Sequence, residues 1–263
     1  MTGAPPLRIA VISDIHGNLP ALDAVLTDMK TRQVDLVVNL GDILSGGVDP
    51  QGTMQRLRTL ECVTVAGNHE RYVLEIPHPQ MGKSDALAFE AMSSSDLAWF
   101  RSLPRTATPA PGILAFHGTP HDDSEYLLET VTTSGIRPAT VAEVMARLGH
   151  HSERWELLLC GHTHIPRVIQ LPNGATVLNP GSVGLPAYQD GSPLEHRVET
   201  GSSHARYALA TKTSHDWNVD LIAIAYDYES AASKADSNGR PDVAVALRTG
   251  RATIHLISAP TVP

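Results

Sequence analysis

Apolar residues cluster in five short runs, at 7–12, 36–40, 62–66, 113–116 and 157–160. Runs of this length, rich in Val, Ile and Leu, read as strands buried on both faces of a largely parallel sheet. Between the first two, Leu19, Leu22, Val25, Leu26 and Met29 recur at steps of three and four. That period predicts an amphipathic helix over 18–32, with Asn18 as its N-cap and Pro20 in its first turn. A second crossover over 50–60 returns the chain to the third run. The first 70 residues therefore read as β-α-β-α-β with parallel strands.

From 68 to 105 the pattern is helical, with breaks at 77–82 and 93–95 and with Ser95 capping a short helix through Phe100. Strands return from Ile113, and a helix over 138–148 leads into the run at 157–160. Pro172-Asn173-Gly174 is a hairpin signal between strands at 167–171 and 175–178. Residues 205–211 and 217–225 read as an antiparallel pair, followed by a helix at 227–235 and a polar, Gly-bearing tail. The polar stretch 184–203 interrupts this order. We read 187–204 as a mobile loop insertion without a chemical role, the alternative being a lid. The fold class expected is α/β, a four-layer α-β-β-α sandwich of two mixed sheets with outer helices, as a single domain over 1–263.

Composition narrows the class. With 42% hydrophobic and 18% charged residues the chain reads as globular rather than disordered. A formal charge of −8 argues against an extended nucleic-acid interface, which needs clustered Lys and Arg. It does not exclude a small phosphate ester at a metal pocket, where cations reverse the local sign. Cys62 and Cys160 both lie inside apolar runs and read as small buried hydrophobes, not as a disulfide or thiolate site. The first run is short and feeds directly into Asp14, so it reads as a strand and not a signal peptide. No run reaches the roughly 18 apolar residues of a membrane span, and a cytoplasmic protein is expected.

Each of the five runs ends in a metal-ligand residue type: Asp14 and His16, Asp42, Asn68, His117, then His162 and His164. Strands of α/β sheets present functional groups at their carboxyl ends, so these seven residues would converge on one rim. Seven oxygen and nitrogen ligands are too many for one ion and suit two ions sharing a carboxylate. The set holds no sulfur, which admits Mn, Fe, Ni, Co or Zn. Most other histidines, including His78, His150, His151 and His204, lack ligand spacing and read as surface residues. His121, in the loop after His117, is the one candidate among them for reaching substrate.

The ordered blocks Asp14-x-His16, Gly41-Asp42, Gly67-Asn68-His69-Glu70, His117 and Gly161-His162-Thr163-His164 resemble the calcineurin-like metallophosphoesterases. Asp-Ile-His-Gly-Asn-Leu-Pro-Ala-Leu at 14–22 and Asn-Pro-Gly-Ser-Val-Gly-Leu-Pro at 179–186 are similar to small bacterial phosphodiesterases of that family. The resemblance weakens at 187–204 and after Gly239. It implies that Asp14, His16 and His164 hold one metal, that Asn68, His117 and His162 hold the other, and that Asp42 bridges them, with manganese as the expected ion. It further implies hydrolysis by a metal-bridging hydroxide, with His69 protonating the leaving group and Asn68 and Asn18 facing the substrate. Glu70 would either orient the His69 imidazole or serve as a helix N-terminal carboxylate.

Phosphoprotein phosphatases of that superfamily carry an Arg after the Gly-Asp block and another before Gly-Asn-His. Here those stretches read Gly41-Asp42-Ile43-Leu44-Ser45 and Ala66-Gly67-Asn68-His69, without either. Small phosphodiesters or nucleotides are therefore the expected substrates. The alternatives are a phosphomonoesterase or phosphoprotein phosphatase, or a non-catalytic metal-binding scaffold such as the retromer subunit that shares the fold. A scaffold would show eroded ligands, whereas all seven and His69 are in place.

Overall fold

The computed structural model describes residues 6–253. Strand β1 (Arg8–Ile12) leads into helix α1 (Leu19–Met29), β2 (Leu36–Asn39), α2 (Pro50–Leu57) and β3 (Val63–Thr64). The three strands are parallel, as the spacing of the runs predicts. Asn18 caps α1 by accepting the Ala21 N–H, and Asp49 caps α2 in the same way through Gly52. Helices α3 (Asn68–Glu75), α4 (Lys83–Ala91) and α5 (Ser94–Ser102) follow, then β4 (Thr106–Ala107) and β5 (Ile113–Phe116). The cap of α5 is Ser93, not Ser95: its hydroxyl accepts the Asp96 N–H while the Asp96 carboxylate returns to the Ser93 N–H.

Next come the hairpin β6 (Glu129–Thr132) and β7 (Gly135–Pro138), helix α6 (Val141–Leu148) and β8 (Leu157–Leu159). Pro138 closes β7, and Thr140 caps α6 in a box with Glu143, so this helix starts later than its apolar period implies. The antiparallel pair β9 (Arg167–Gln170) and β10 (Thr176–Asn179) flanks the expected turn. Residues 187–204, read above as a loop insertion, instead contain a paired hairpin, β11 (Ala187–Asp190) and β12 (His196–Glu199). Strands β13 (Ala205–Lys212) and β14 (Trp217–Ile224) pair antiparallel, and α7 (Tyr228–Ser237) and α8 (Pro241–Thr249) close the described chain. Helix α8 occupies much of the segment read as a tail; the end of that tail, 254–263, lies outside the described residues.

Two five-stranded mixed sheets result, ordered β14-β13-β1-β2-β3 and β4-β5-β8-β10-β9. Alternation along each strand divides the apolar residues between layers. Ile9, Val11 and Val38 from the first sheet meet Ile113, Ala115, Leu157 and Leu159 from the second in the central layer, all without solvent contact. The opposite faces carry Ala10 and Ile12 against Leu22 and Val25 of α1, and Leu114, Phe116 and Leu158 against Val144 and Leu148 of α6. This is the expected helix-sheet-sheet-helix sandwich. Among the described residues no helix is long and apolar enough to cross a membrane.

Candidate metal centre

The carboxyl ends of β1, β2 and β3 in one sheet, and of β5 and β8 in the other, open onto one rim. All seven expected ligands meet there. Asp14, His16 and His164 form one group and Asp42, His117 and His162 a second, each with ligand atoms within 4.8 Å of one another. Asn68 joins the second group, its Oδ1 lying 3.1 Å from His117 Nε2. Asp42 lies between the groups, with Oδ2 at 3.2 Å from His117 Nε2 and 4.0 Å from His16 Nε2. Each group draws on both sheets.

Hydrogen bonding settles which nitrogen each imidazole offers. His16, His117 and His164 donate Nδ1–H to the carbonyls of Ser45, Leu40 and Leu185 at 2.5, 2.6 and 2.6 Å. His162 donates through Nε2 to the Ser124 carbonyl at 3.0 Å. A carbonyl only accepts, so in the neutral rings the opposite nitrogens turn lone pairs inward. His16 Nε2 and His164 Nε2 face each other at 3.1 Å, each on a ring whose Nδ1 is turned to a backbone carbonyl. Asp14 Oδ1 is buried without a hydrogen-bond partner among the described residues. Facing lone pairs and an orphaned carboxylate oxygen fit cations held by oxygen and imidazole nitrogen.

The electrostatics agree. Burial pushes the His16 pKa down to about 3 and that of His162 down to about 4, so both rings are neutral near pH 7. Burial opposes charge on His117 as well, yet Asp42 and Asp14 raise its pKa to about 10. Burial also opposes ionisation of Asp14 and Asp42, but neighbouring imidazoles, led by His164 and His117 respectively, hold both carboxyls below their ordinary range. The carboxylates thus demand positive charge at this point.

Asp14, His16, Asp42, His162 and His164 all have φ between 49° and 68°. Among the described residues Gln33 is the one other non-glycine with positive φ. Such a backbone costs roughly 1–3 kcal/mol per residue and persists where the surroundings over-determine it. Hydrogen bonds supply that constraint. Asp14, His16 and Gly17 N–H donate to the carbonyls of Gly41, Asp42 and Ile43, zipping two ligand loops together. Gly41 and Gly67 are needed because the loops after β2 and β3 touch, and a Cβ on Gly41 would collide with the Gly67 backbone. Asn179 donates to Gly161 O and Thr163 Oγ1, while Ser182 Oγ donates to Asp14 O, so the 179–186 block buttresses ligand loops from both sheets.

Glu70 does not reach His69. Its carboxylate accepts the N–H groups of Asp42, Ile43 and Gly67 at 2.8, 2.8 and 2.7 Å, tying the second and third ligand loops to the start of α3. The group on His69 is Asp85 of α4, whose Oδ1 is 2.6 Å from His69 Nδ1. Burial opposes a charged His69, but Asp42 and Asp85 outweigh it and raise its pKa to about 9. The ring is protonated near pH 7, with Nε2 as its free nitrogen. Asp85 is far from every motif in sequence, and as an acidic residue in a helix's first turn it carries no other signal.

Asn18 corrects the expectation of a substrate contact. It is fully buried, its Oδ1 caps α1, and its Nδ2 donates to Gly184 O and Tyr226 Oη at 2.9 and 3.1 Å. No polar atom remains for a ligand. His121 also points elsewhere, toward His150 and His151. In contrast, the β11–β12 hairpin stands at the site. The Tyr188 ring packs edge-on against His164 at 4.6 Å, and its hydroxyl donates to His162 O at 3.2 Å. Together with Asn68, His69, Tyr72 and Arg240, the hairpin lines a cavity of about 480 Å³ over the ligand groups.

The chain matches the model of the calcineurin-like phosphoesterase superfamily domain over residues 7–200. An uncharacterised protein of Methanocaldococcus jannaschii, MJ0912, is 29% identical over 258 residues, covering 89% of this chain and 94% of the relative. A metallophosphoesterase from Sphaerobacter thermophilus superposes with a TM-score of 0.71 at 23% identity, covering 93% of this chain and 99% of that one. The protein PH1004 of Pyrococcus horikoshii OT3 gives 0.72 at 18% identity, covering 94% and 100%. These two likenesses bear on the fold. The match to the superfamily model spans most of the length and all seven rim residues, and by it the chain belongs to the calcineurin-like phosphoesterase superfamily.

Proposed function

We propose that the chain is a binuclear metal-dependent phosphoesterase that hydrolyses small phosphodiesters or nucleotides. The observation that carries this reading is the convergence of inward imidazole lone pairs on two buried carboxylates, with His16 and His164 Nε2 at 3.1 Å. In it, Asp14, His16 and His164 hold one cation, Asn68, His117 and His162 hold the other, and Asp42 contributes to both. Bound there, two divalent cations, of which manganese is our first choice, would supply an activated water near neutral pH and positive charge for the phosphoryl oxygens.

The protein's own part is positioning and proton transfer. Asp85 holds His69 Nδ1–H and stabilises the imidazolium, so Nε2 can pass its proton to the departing oxygen. The walls favour a diester. Arg240 lines the cavity but is committed: it forks onto Asp242 at 3.0 and 2.7 Å and donates to Gly46 O and to Ser84. Asp190 and Asp242 also line it. A monoester dianion would meet these carboxylates without a free guanidinium, whereas a diester carries one charge less.

The test is kcat/KM for bis(p-nitrophenyl) phosphate against p-nitrophenyl phosphate in Mn-loaded protein. The diester is expected to be preferred by at least about tenfold, roughly 1.4 kcal/mol in the barrier. A preference of similar size for the monoester would overturn the substrate class, and hydrolysis of neither would count against the enzyme reading.

A further inference from the structure

Away from the rim, three imidazoles gather from two segments that the proposed chemistry does not use. His121 lies in the loop that leaves β5, and His150 and His151 lie in a short 3-10 turn, Gly149–Glu153, after α6. One ring nitrogen from each falls within 4.8 Å of the other two. The His150 and His151 rings are 4.0 Å apart, and His121 stands 6.0 and 5.4 Å from them by ring centroids. No carboxylate pairs with any of the three among the described residues, unlike His78, which is paired with Glu90.

Burial, His150, His121 and Arg154 together depress the pKa of His151. Imidazole nitrogens grouped this closely can turn their lone pairs on one borderline cation, the ligand type that zinc, copper and nickel share.

We propose that His121, His150 and His151 form a third cation site, separate from the rim, for a divalent ion of the zinc, nickel or copper class. Zinc–imidazole bonds of about 2.0–2.1 Å place tetrahedral nitrogens roughly 3.4 Å apart, so the cluster must tighten by about an ångström. His121 and His150 are exposed and free to turn, and a solvent molecule completes the fourth position. His151 gives up the most. Its Nδ1 accepts a long 3.4 Å bond from the Trp155 indole N–H, and a metal at either ring nitrogen breaks that bond. The occupied site would fasten the loop after His117 to the turn after α6, clamping two segments of the second sheet's outer layer.

Trp155 also supplies a readout independent of hydrolysis. Equilibrium dialysis against Zn²⁺ should show the wild-type chain retaining one equivalent more than the His150→Ala/His151→Ala double variant. His121→Asn, a milder change, should lose the same equivalent, which guards against misfolding of the double variant. Titration with Cu²⁺ should quench indole fluorescence in a saturable step that Trp155→Phe abolishes. Equal zinc stoichiometry in wild type and both variants would overturn the site, as would a copper step that is absent from wild type or persists in Trp155→Phe. Because the difference is taken between wild type and variant, the result stands whatever number of ions the rim holds.

Discussion

At the residue scale, the proposed proton transfer is divided between His69 and Asp85, which meet at 2.6 Å. If the imidazolium supplies the leaving-group proton, His69→Ala should lower kcat by about 10²–10⁴-fold. Its cation content by elemental analysis should match wild type, because His69 belongs to neither ligand group. Asp85→Asn keeps the shape but loses the negative charge beside Nδ1, and a fall in kcat of about tenfold or more with little change in KM is expected. A rise in KM alone would assign Asp85 to substrate binding instead. All seven rim residues were readable from their place after apolar runs, yet nothing in the sequence reveals that Asp14, His16, Asp42, His162 and His164 adopt left-handed backbone. Asp and His tolerate that region better than most residues, but the choice depends on carbonyls supplied by distant loops. Asp85 escaped for the same reason: its partner is fixed by how α4 packs on α3, which no local pattern encodes.

At the element scale, the loop between His117 and Tyr126 is held by α3. Arg71 forks onto Asp123 at 2.9 and 2.5 Å and reaches Ser124 Oγ at 3.0 Å, and the Ser124 carbonyl accepts from His162. Arg71→Ala should therefore weaken cation affinity at the rim by about tenfold, the low end for supporting residues, as measured by metal-dependent activity or calorimetry. The pair also has a pH signature. Burial opposes ionisation of Asp123, but Arg71 outweighs it and lowers the carboxyl's pKa. The stabilisation is complete above the unfolded value of about 3.9 and is lost as pH falls through the folded value, so denaturant midpoints of wild type and Asp123→Asn should converge at the acid end. Elements with a strong period, such as α1 and the apolar strands, were legible in advance. Helix α8 had its punctuation, Pro241 at the start and Gly250 in the left-handed cap, but its nine residues are too short for the period to assert itself. The β11–β12 hairpin alternates mostly polar residues, because one of its faces is the wall of a polar cavity.

At the scale of the whole molecule, stability rests on the layer between the sheets. Leu159 is fully buried there, and Leu159→Ala should cost about 2–5 kcal/mol, seen as a lower denaturant midpoint at unchanged slope. The sandwich itself was predictable because two-sided burial leaves near-continuous apolar runs, whereas the pairing of β13 with β1 across some two hundred residues was not. Chelation offers a complementary test. Ions that bind only the folded chain add RT ln(1 + [L]/Kd) to its stability, about 2.7 kcal/mol at a hundredfold excess over Kd, so EDTA should lower Tm by several degrees.

Each rim group takes ligands from both halves of the sandwich, and that arrangement has a mechanical corollary. A filled centre is a rivet through the two plates, resisting any sliding of one past the other. Metal starvation would then do more than silence hydrolysis: it would loosen the seam and expose the chain to proteases, so that the lifetime of the protein in a cell would track its supply of ions.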